Sequence, residues 1–146
     1  MGDPLSTDQR ALLAILLDEL VPPSEDGRFP GAGALGLAAR LEEAAERTPG
    51  LRRALGEALG MLAACGFAAL PRPERLLRLQ ALAQDAPAVF QTLLVHAYRD
   101  YYQHPRVVEA LGLEPRPPFP KGFEVAPSDL TLLDPVRRRR KMYRDP

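Results

Sequence analysis

The chain has 146 residues, of which 46% are hydrophobic and 26% charged, a composition typical of one globular domain and not of a disordered or fibrous chain. Its 19 basic and 19 acidic residues give a formal net charge of zero, which excludes a protein whose overall charge drives it onto nucleic acid or an anionic membrane. The single cysteine, Cys65, excludes an intramolecular disulfide and a zinc site built from thiolates.

The N-terminal segment carries neither the pattern of a secretory signal nor that of a membrane span. The apolar stretch from Ala11 to Leu17 follows Asp3 and Asp8 and not a basic region. It is also far shorter than the roughly 20 apolar residues that a membrane helix needs. We therefore expect a cytoplasmic protein that does not contact a membrane.

The first two predicted helices are separated by a loop rich in glycine and proline. Ser6 and Gln9 form a capping box, and leucines at helical spacing follow it until Pro22 and Pro23 end the first helix. A second amphipathic helix follows the loop of residues 24–33 and ends near residue 47. Its apolar positions are Leu35, Ala38, Leu41, Ala44 and Ala45, and Glu42, Glu43 and Glu46 are expected to face outward.

Proline and glycine mark the bounds of the next two helices. Thr48 followed by Pro49 is typical of a helix start, and Gly66 of a helix end, so a third helix is predicted between them. Pro71 and Pro73 frame the start of a fourth helix. Its apolar positions are Leu76, Leu77, Leu79 and Leu82, with Arg75 and Arg78 among the outward residues.

A fifth helix opens at Asp85 and Pro87 and closes before Pro105, because a residue that precedes proline disfavours the helical conformation. Its apolar stripe consists of Phe90, Leu93, Leu94, Ala97 and Tyr101. One further short turn of helix is predicted over residues 106–111, stopped by Gly112. No segment shows the alternation of apolar and polar residues that is typical of a β-strand. The predicted fold class is all-α: a single-domain bundle of five to six helices over residues 1–112, with an extended, proline-rich C-terminal tail over residues 113–146.

The tail differs from the helical region in composition and charge. It holds seven of the 16 prolines, and its eight basic and five acidic residues give it a net charge of +3, which leaves −3 for residues 1–112. It also carries more large apolar residues than a fully solvated segment would. These residues are Phe119, Phe123, Val125, Leu130, Leu132, Leu133 and Tyr143. We therefore expect the tail to be ordered and to pack on its own helices or on a partner.

Two stretches carry a resemblance to a known family. Residues 101–112 read YYQHPRVVEALG, and residues 116–123 read RPPFPKGF. Their order and spacing resemble the tyrosine-rich stretch, short helix and proline-rich tail of the gluconate 2-dehydrogenase small-subunit (subunit 3) family. The end of the first helix, residues 20–23, and the Pro-Gly-Ala loop at residues 30–32 resemble the start of the same family.

The resemblance implies a noncatalytic helical subunit, without a cofactor of its own, that accompanies a flavin-dependent sugar or alcohol dehydrogenase of the glucose-methanol-choline oxidoreductase class. Members of that family often assist the maturation and export of the enzyme. This sequence lacks the twin-arginine signal typical of the exported small subunits, so we expect assembly or stabilisation of a cytoplasmic large subunit. The residues expected to bind this partner are Tyr102, His104, Pro105, Arg116, Pro117, Pro118, Phe119, Phe123, Tyr143 and Arg144.

A metal site is the sharpest competing pattern. His96, Asp100 and His104 are spaced four residues apart and together match the ligand set of a facial triad. Three ligands along one helix span more than two turns, however, and do not converge on one ion. We therefore expect no metal at these residues.

Two other patterns point to binding and not to catalysis. Tyr98, Tyr101 and Tyr102 could stack on bases or sugars, but Tyr101 continues the apolar stripe and is expected in the core, with the other two at its rim. The basic run of residues 137–141 leaves an alternative function open, a cytoplasmic helical binding module whose basic tail contacts nucleic acid or an acidic protein. We favour the accessory subunit over this alternative and do not expect nucleic acid as the partner.

The sequence offers few residues for catalysis. It has two histidines and shows no glycine-rich phosphate loop, nucleophile elbow or Ser-His-Asp arrangement, so we do not expect an enzyme.

Overall fold

The computed structural model describes residues 5–117, 119–122 and 124–140. Helices hold 66% of them, and these residues form no strand, which confirms the all-α fold class. The helices are α1 (Thr7–Leu20), α2 (Leu37–Arg47), α3 (Pro49–Ala64), α4 (Arg72–Asp85), α5 (Pro87–Tyr102), α6 (Pro105–Ala110) and α7 (Asp134–Arg137), with 3₁₀ turns at Phe67–Ala69 and Leu130–Leu133. No helix in these described ranges is long and apolar enough to cross a membrane.

The chain divides into two compact units. The first covers residues 1–115 and contains α1 to α6, and the second covers residues 116–146 and contains the second 3₁₀ turn and α7. In the first unit α5 packs against α2, α3 and α4, and α1 packs against α2 and α3. The first unit is therefore a helical bundle with α5 in contact with most of its other helices.

Local sequence signals set the ends of the helices. The Ser6 hydroxyl accepts from the backbone N–H of Gln9 at 3.2 Å, and the Gln9 side chain accepts from the Ser6 N–H at 2.9 Å, so the predicted capping box is confirmed. Helix α3 starts with Pro49 as its first residue, although the side chain of Thr48 makes no capping hydrogen bond. Gly112, with φ of 78°, follows the short α6 in a left-handed conformation that favours glycine.

The core of the first unit is built from leucines, with a few larger or smaller side chains. Buried positions come from α1 to α6 and from the first 3₁₀ turn. The largest fully buried side chains are Leu13, Leu16, Leu17, Leu37, Leu41, Leu51, Leu59, Phe67, Leu93 and Val107. The predicted stripe of α5 is buried at Leu93, Ala97 and Tyr101, whereas Phe90 is only partly buried against the core.

Three predicted orientations are wrong. Leu76 and Leu77 of the predicted α4 stripe are 40% and 63% exposed. Successive residues of an α-helix are about 100° apart, so Leu77 lies on the opposite side of α4 from the buried Leu79. Glu42 does not face freely outward, because its carboxylate accepts from the backbone N–H of Leu5 at 2.9 Å and from Nε of Arg10 at 2.8 Å.

The loop of residues 21–36 is fixed to three helices by hydrogen bonds. The Tyr101 hydroxyl of α5 donates to the carbonyl of Pro30 at 2.9 Å, and the N–H of Gly33 donates to Oδ1 of Asp18 in α1 at 2.8 Å. Arg28 donates to the carbonyl of Ala110, the last residue of α6, at 2.8 Å. The proline- and glycine-rich loop is thus an ordered part of the first unit.

Candidate functional site

Three of the predicted partner-binding residues lie together where α5 meets α6. Tyr102 is the last residue of α5 and is exposed, with its ring edge-on to that of Tyr101 at a centroid distance of 5.3 Å. His104 caps α6, since its Nδ1 accepts from the backbone N–H of Arg106 at 3.3 Å, and the exposed Pro105 is the first residue of that helix. The structure thus places an exposed aromatic ring and an exposed proline on either side of a half-buried imidazole.

The remaining described partner-binding residues lie in the second unit. Arg116 donates from Nη1 to the carbonyl of Pro117 at 3.2 Å and from Nη2 to the carbonyl of Gly122 at 2.6 Å. Its guanidinium therefore links the backbone at Pro117 to that at Gly122. Pro117 and Phe119 are exposed. Four further predicted residues, Pro118, Phe123, Tyr143 and Arg144, lie outside the described residues.

Large apolar side chains of the second unit are open to solvent. Phe119 is 84% exposed, Val125 87% and Leu132 74%. The 3₁₀ turn that carries Leu132 is capped by Asp129, whose Oδ1 accepts from the hydroxyl of Thr131 at 2.6 Å, and this bond lowers the pKa of the Asp129 carboxyl. The turn therefore presents its apolar side chains on a locally ordered backbone.

The basic run follows α7. Arg137 donates to the carboxylate of Asp134 at 3.3 Å, one turn earlier in the same helix. Arg138, Arg139 and Arg140 are exposed, and Lys141 lies outside the described residues. Three positive charges are therefore presented to solvent directly after the apolar side chains of the turn.

The His96, Asp100 and His104 pattern is divided between two helices. Asp100 is buried in α5, and its Oδ1 accepts a hydrogen bond from Nε of Arg99 at 3.1 Å and lies 3.1 Å from Nη2 of the same guanidinium in an ion pair. Nδ1 of His96 is buried without a hydrogen-bond partner, and burial lowers the pKa of this imidazole. His104 lies beyond the end of α5, and the described ranges contain no group of three His, Cys, Asp or Glu side chains placed to hold a metal ion.

The three tyrosines of α5 divide as the sequence predicts. Tyr101 is buried in the core, and burial raises the pKa of its hydroxyl. Tyr98 and Tyr102 are exposed, with ring centroids 6.3 Å apart. The exposed pair is therefore the part of the cluster that a ligand or partner can reach.

A polar groove between α2 and α5 was missed by the reasoning from sequence. It has a volume of about 590 Å³. Its lining residues are Arg40, Glu43, Ala44 and Arg47 from α2 and Arg99, Asp100 and Gln103 from α5. The helical spacing of Arg40, Glu43 and Arg47 is visible in the sequence, but the same spacing describes any solvated helix face. Only the packing of α2 on α5 makes these residues a groove.

Comparison with known proteins gives no match of this chain to a family model, to a curated protein or to a solved structure. The resemblance to the gluconate 2-dehydrogenase small-subunit family therefore rests on the short motifs in residues 101–112 and 116–123 and stays a prediction.

Proposed function

We propose that the chain is a noncatalytic accessory subunit that binds a larger protein through its second unit. The observation that carries this proposal is the exposure of Phe119, Val125 and Leu132, each at least 74% open to solvent. Apolar surface in contact with water costs about 25 cal/mol per Å². A short segment that presents several such side chains is typical of a surface that is covered in a complex.

The backbone around these side chains suits binding. Phe119 lies between Pro117 and Pro120, whose rings restrict the backbone before a partner is present. A restricted segment loses less conformational entropy on binding, so more of the contact energy appears as affinity. Phe119 is accordingly the central anchor of the proposed interface, in the manner of an aromatic hot spot.

The exposed arginines add a charge requirement. Arg138, Arg139 and Arg140 follow the apolar residues of the second 3₁₀ turn within one short stretch. Exposed charges at the rim of an interface favour a partner surface of opposite sign and speed its association. The partner surface is therefore expected to combine an apolar pocket with an acidic rim.

We infer the class of partner from the family resemblance. The motifs of residues 101–112 and 116–123 resemble the small subunits that accompany flavin-dependent dehydrogenases of the glucose-methanol-choline class. The proposed partner is the large, flavin-containing subunit of such a sugar or alcohol dehydrogenase. The exposed Tyr102 and Pro105, with the half-buried His104 between them, form a second surface for the same partner.

The test is affinity purification of the tagged full chain from its native host, with flavin absorption and mass spectrometry of what is retained. We expect a flavin-containing dehydrogenase subunit to copurify. The triple variant Phe119→Ser, Val125→Ser, Leu132→Ser should retain less than about a tenth of the captured dehydrogenase subunit. Removing the anchor side chains of an interface weakens the binding free energy by about 2 kcal/mol or more. The matched control is Leu77→Ser, which removes an exposed leucine of α4.

Two results would contradict this function. Undiminished capture by the triple variant would remove the second unit from the interface, and loss of capture by Leu77→Ser would move the interface onto α4. Retention of the chain on DNA that falls steeply with salt, and is abolished by changing Arg138, Arg139 and Arg140 to Gln, would favour nucleic acid as the partner.

A further inference from the structure

We propose that the polar groove between α2 and α5 binds a small organic carboxylate that also carries a hydroxyl or amine donor. This site lies in the first unit and is independent of the partner surface proposed above. Its volume of about 590 Å³ falls within the range of roughly 300–1,000 Å³ usual for small-molecule sites.

Three guanidinium groups line this groove. Arg40 and Arg47 are seven residues apart on α2, which places them on one face two turns apart, and Arg99 comes from α5. Nη1 of Arg47 donates to Glu43 at 3.0 Å, and Nε of Arg99 donates to Asp100, with which the guanidinium also forms an ion pair. Each of these two guanidiniums is thus held along one edge and keeps further N–H donors for a ligand.

Arg40 has no hydrogen bond or ion pair with any residue in the described ranges. Its side chain is exposed on the α2 side of the groove. All five of its N–H donors are therefore available to an anion, and a planar carboxylate matches the fork of a guanidinium with two parallel hydrogen bonds.

Asp100 is the reason why the ligand should carry a hydroxyl or amine donor in addition to its carboxylate. Its side chain is only 7% exposed, and Oδ1 accepts a hydrogen bond from Nε of Arg99, whereas Oδ2 accepts no hydrogen bond from the described residues. Oδ2 is not a fully buried atom, so a donor that enters the groove can reach its free lone pairs. Because Asp100 lines the groove, a hydroxyl or amine of the ligand can supply that donor, and the amide of Gln103 can bind a further polar group.

The charge of the lining selects the class of anion. Three arginines, Glu43 and Asp100 give a formal charge of +1. A carboxylate neutralises this charge, whereas a phosphate dianion would leave an excess of negative charge beside the two acidic side chains. The groove therefore favours a monocarboxylate over a phosphate.

The experiment titrates the full chain by calorimetry with four probes: glycerate, propionate, glycerol and inorganic phosphate. We expect glycerate to bind with a dissociation constant below about 1 mM and about tenfold more tightly than propionate, which lacks the donor groups. Glycerol lacks the carboxylate and should not bind. Phosphate should bind more weakly than glycerate.

Arg40→Gln and Arg47→Gln should each weaken glycerate binding about tenfold, as expected for the loss of hydrogen bonds to a charged group. Both arginines are exposed, so these variants should keep the thermal unfolding curve of the wild type. Arg53→Gln, at an exposed position of α3, is the matched control and should bind glycerate as the wild type does.

Four results would overturn the site. They are the absence of glycerate binding, equal affinity for glycerate and propionate, tighter binding of phosphate than of glycerate, and an equal loss of affinity in Arg53→Gln and in the two groove variants.

Discussion

At the scale of single residues, the backbone of Gly33 packs closely against α1. Its N–H donates to Asp18 at 2.8 Å, and a Cβ added there would collide with the backbone oxygen of Ala14 and with the Asp18 carboxylate. Gly33→Ala must therefore displace the loop of residues 21–36 from α1. We expect the free energy of unfolding to fall by about 1–3 kcal/mol, the usual range for overpacking, measured by urea denaturation.

The control for this prediction is Gly60→Ala in the interior of α3. A Cβ there meets nothing within 4 Å, so the substitution adds no contact and only restricts the unfolded chain. Since glycine inside a helix costs roughly 0.5–1 kcal/mol relative to alanine, this variant should gain stability of that size. Equal losses in the two variants would mean that Gly33 is not held against α1.

Sequence reasoning succeeds with residues whose roles are local and fails with those whose roles depend on distant segments. The pairing of Ser6 with Gln9 involves residues three apart, so the pattern alone predicts it. Gly33 and Asp18 are 15 residues apart, and nothing in the sequence says that this glycine is the one that touches α1. The same holds for Tyr101, whose ring follows the predicted stripe but whose hydroxyl binds Pro30, 71 residues away.

At the scale of helices, the start of α1 is joined to α2 by one carboxylate. Glu42 accepts from Nε of Arg10 through Oε2, and from Nη2 of Arg10 and the N–H of Leu5 through Oε1, at 2.8–2.9 Å. The hydrogen bonds from Arg10, followed in importance by that from Leu5, hold the pKa of Glu42 below its ordinary value of 4.5. A pKa lower in the folded than in the unfolded chain means that ionised Glu42 stabilises the fold.

This pKa shift predicts a pH dependence. The stabilisation is fully present above the unfolded pKa, near 4.5, and is lost as pH falls through the lower pKa of the folded state. The difference in unfolding free energy between wild type and Glu42→Gln should therefore be constant from pH 7 to about pH 5 and shrink below about pH 4.5. Urea denaturation of both proteins across this range measures it.

Glu57→Gln serves as the control, because Glu57 is exposed on α3 and forms no ion pair with the described residues. If Glu57→Gln lowers the free energy of unfolding as much as Glu42→Gln does, removal of any carboxylate has this effect and the contacts of Glu42 are not its cause. A difference for Glu42→Gln that stays constant down to pH 3 would show that the contact with Arg10 is absent in solution.

The helices themselves were largely predictable, whereas the faces they bury were less so. Proline and glycine act on their own neighbours, so Pro49 and Gly112 mark helix bounds in the sequence as they do in the structure. The buried face depends on which helices pack around an element, and α4 buries Leu79 while Leu77 faces solvent. The groove between α2 and α5 escaped prediction for the same reason, since it exists only where two polar faces meet.

At the scale of the whole molecule, the positions of the core residues indicate that the first unit can fold without the second. Every residue of the hydrophobic core identified among the described residues lies between Leu12 and Val107. A chain that ends at Pro115 keeps all of them, together with the bond from Arg28 to the carbonyl of Ala110. We expect this truncated chain to keep the helical circular dichroism of α1 to α6 and to melt within a few degrees of the full chain.

A shorter truncation tests whether this result depends on where the chain is cut. Ending the chain at His104 removes α6, and with it the fully buried Val107 and the carbonyl that Arg28 binds. Loss of a buried aliphatic side chain lowers the free energy of unfolding by about 2–5 kcal/mol, so this chain should melt clearly lower than the one that ends at Pro115.

The same truncation at Pro115 tests whether folding and partner binding depend on different units. The chain of residues 1–115 should stay folded and fail to capture the flavin-containing subunit. If that chain aggregates, or melts as low as the shorter one, the second unit is needed for the fold, and the exposed apolar residues after Arg116 serve this chain and not a partner.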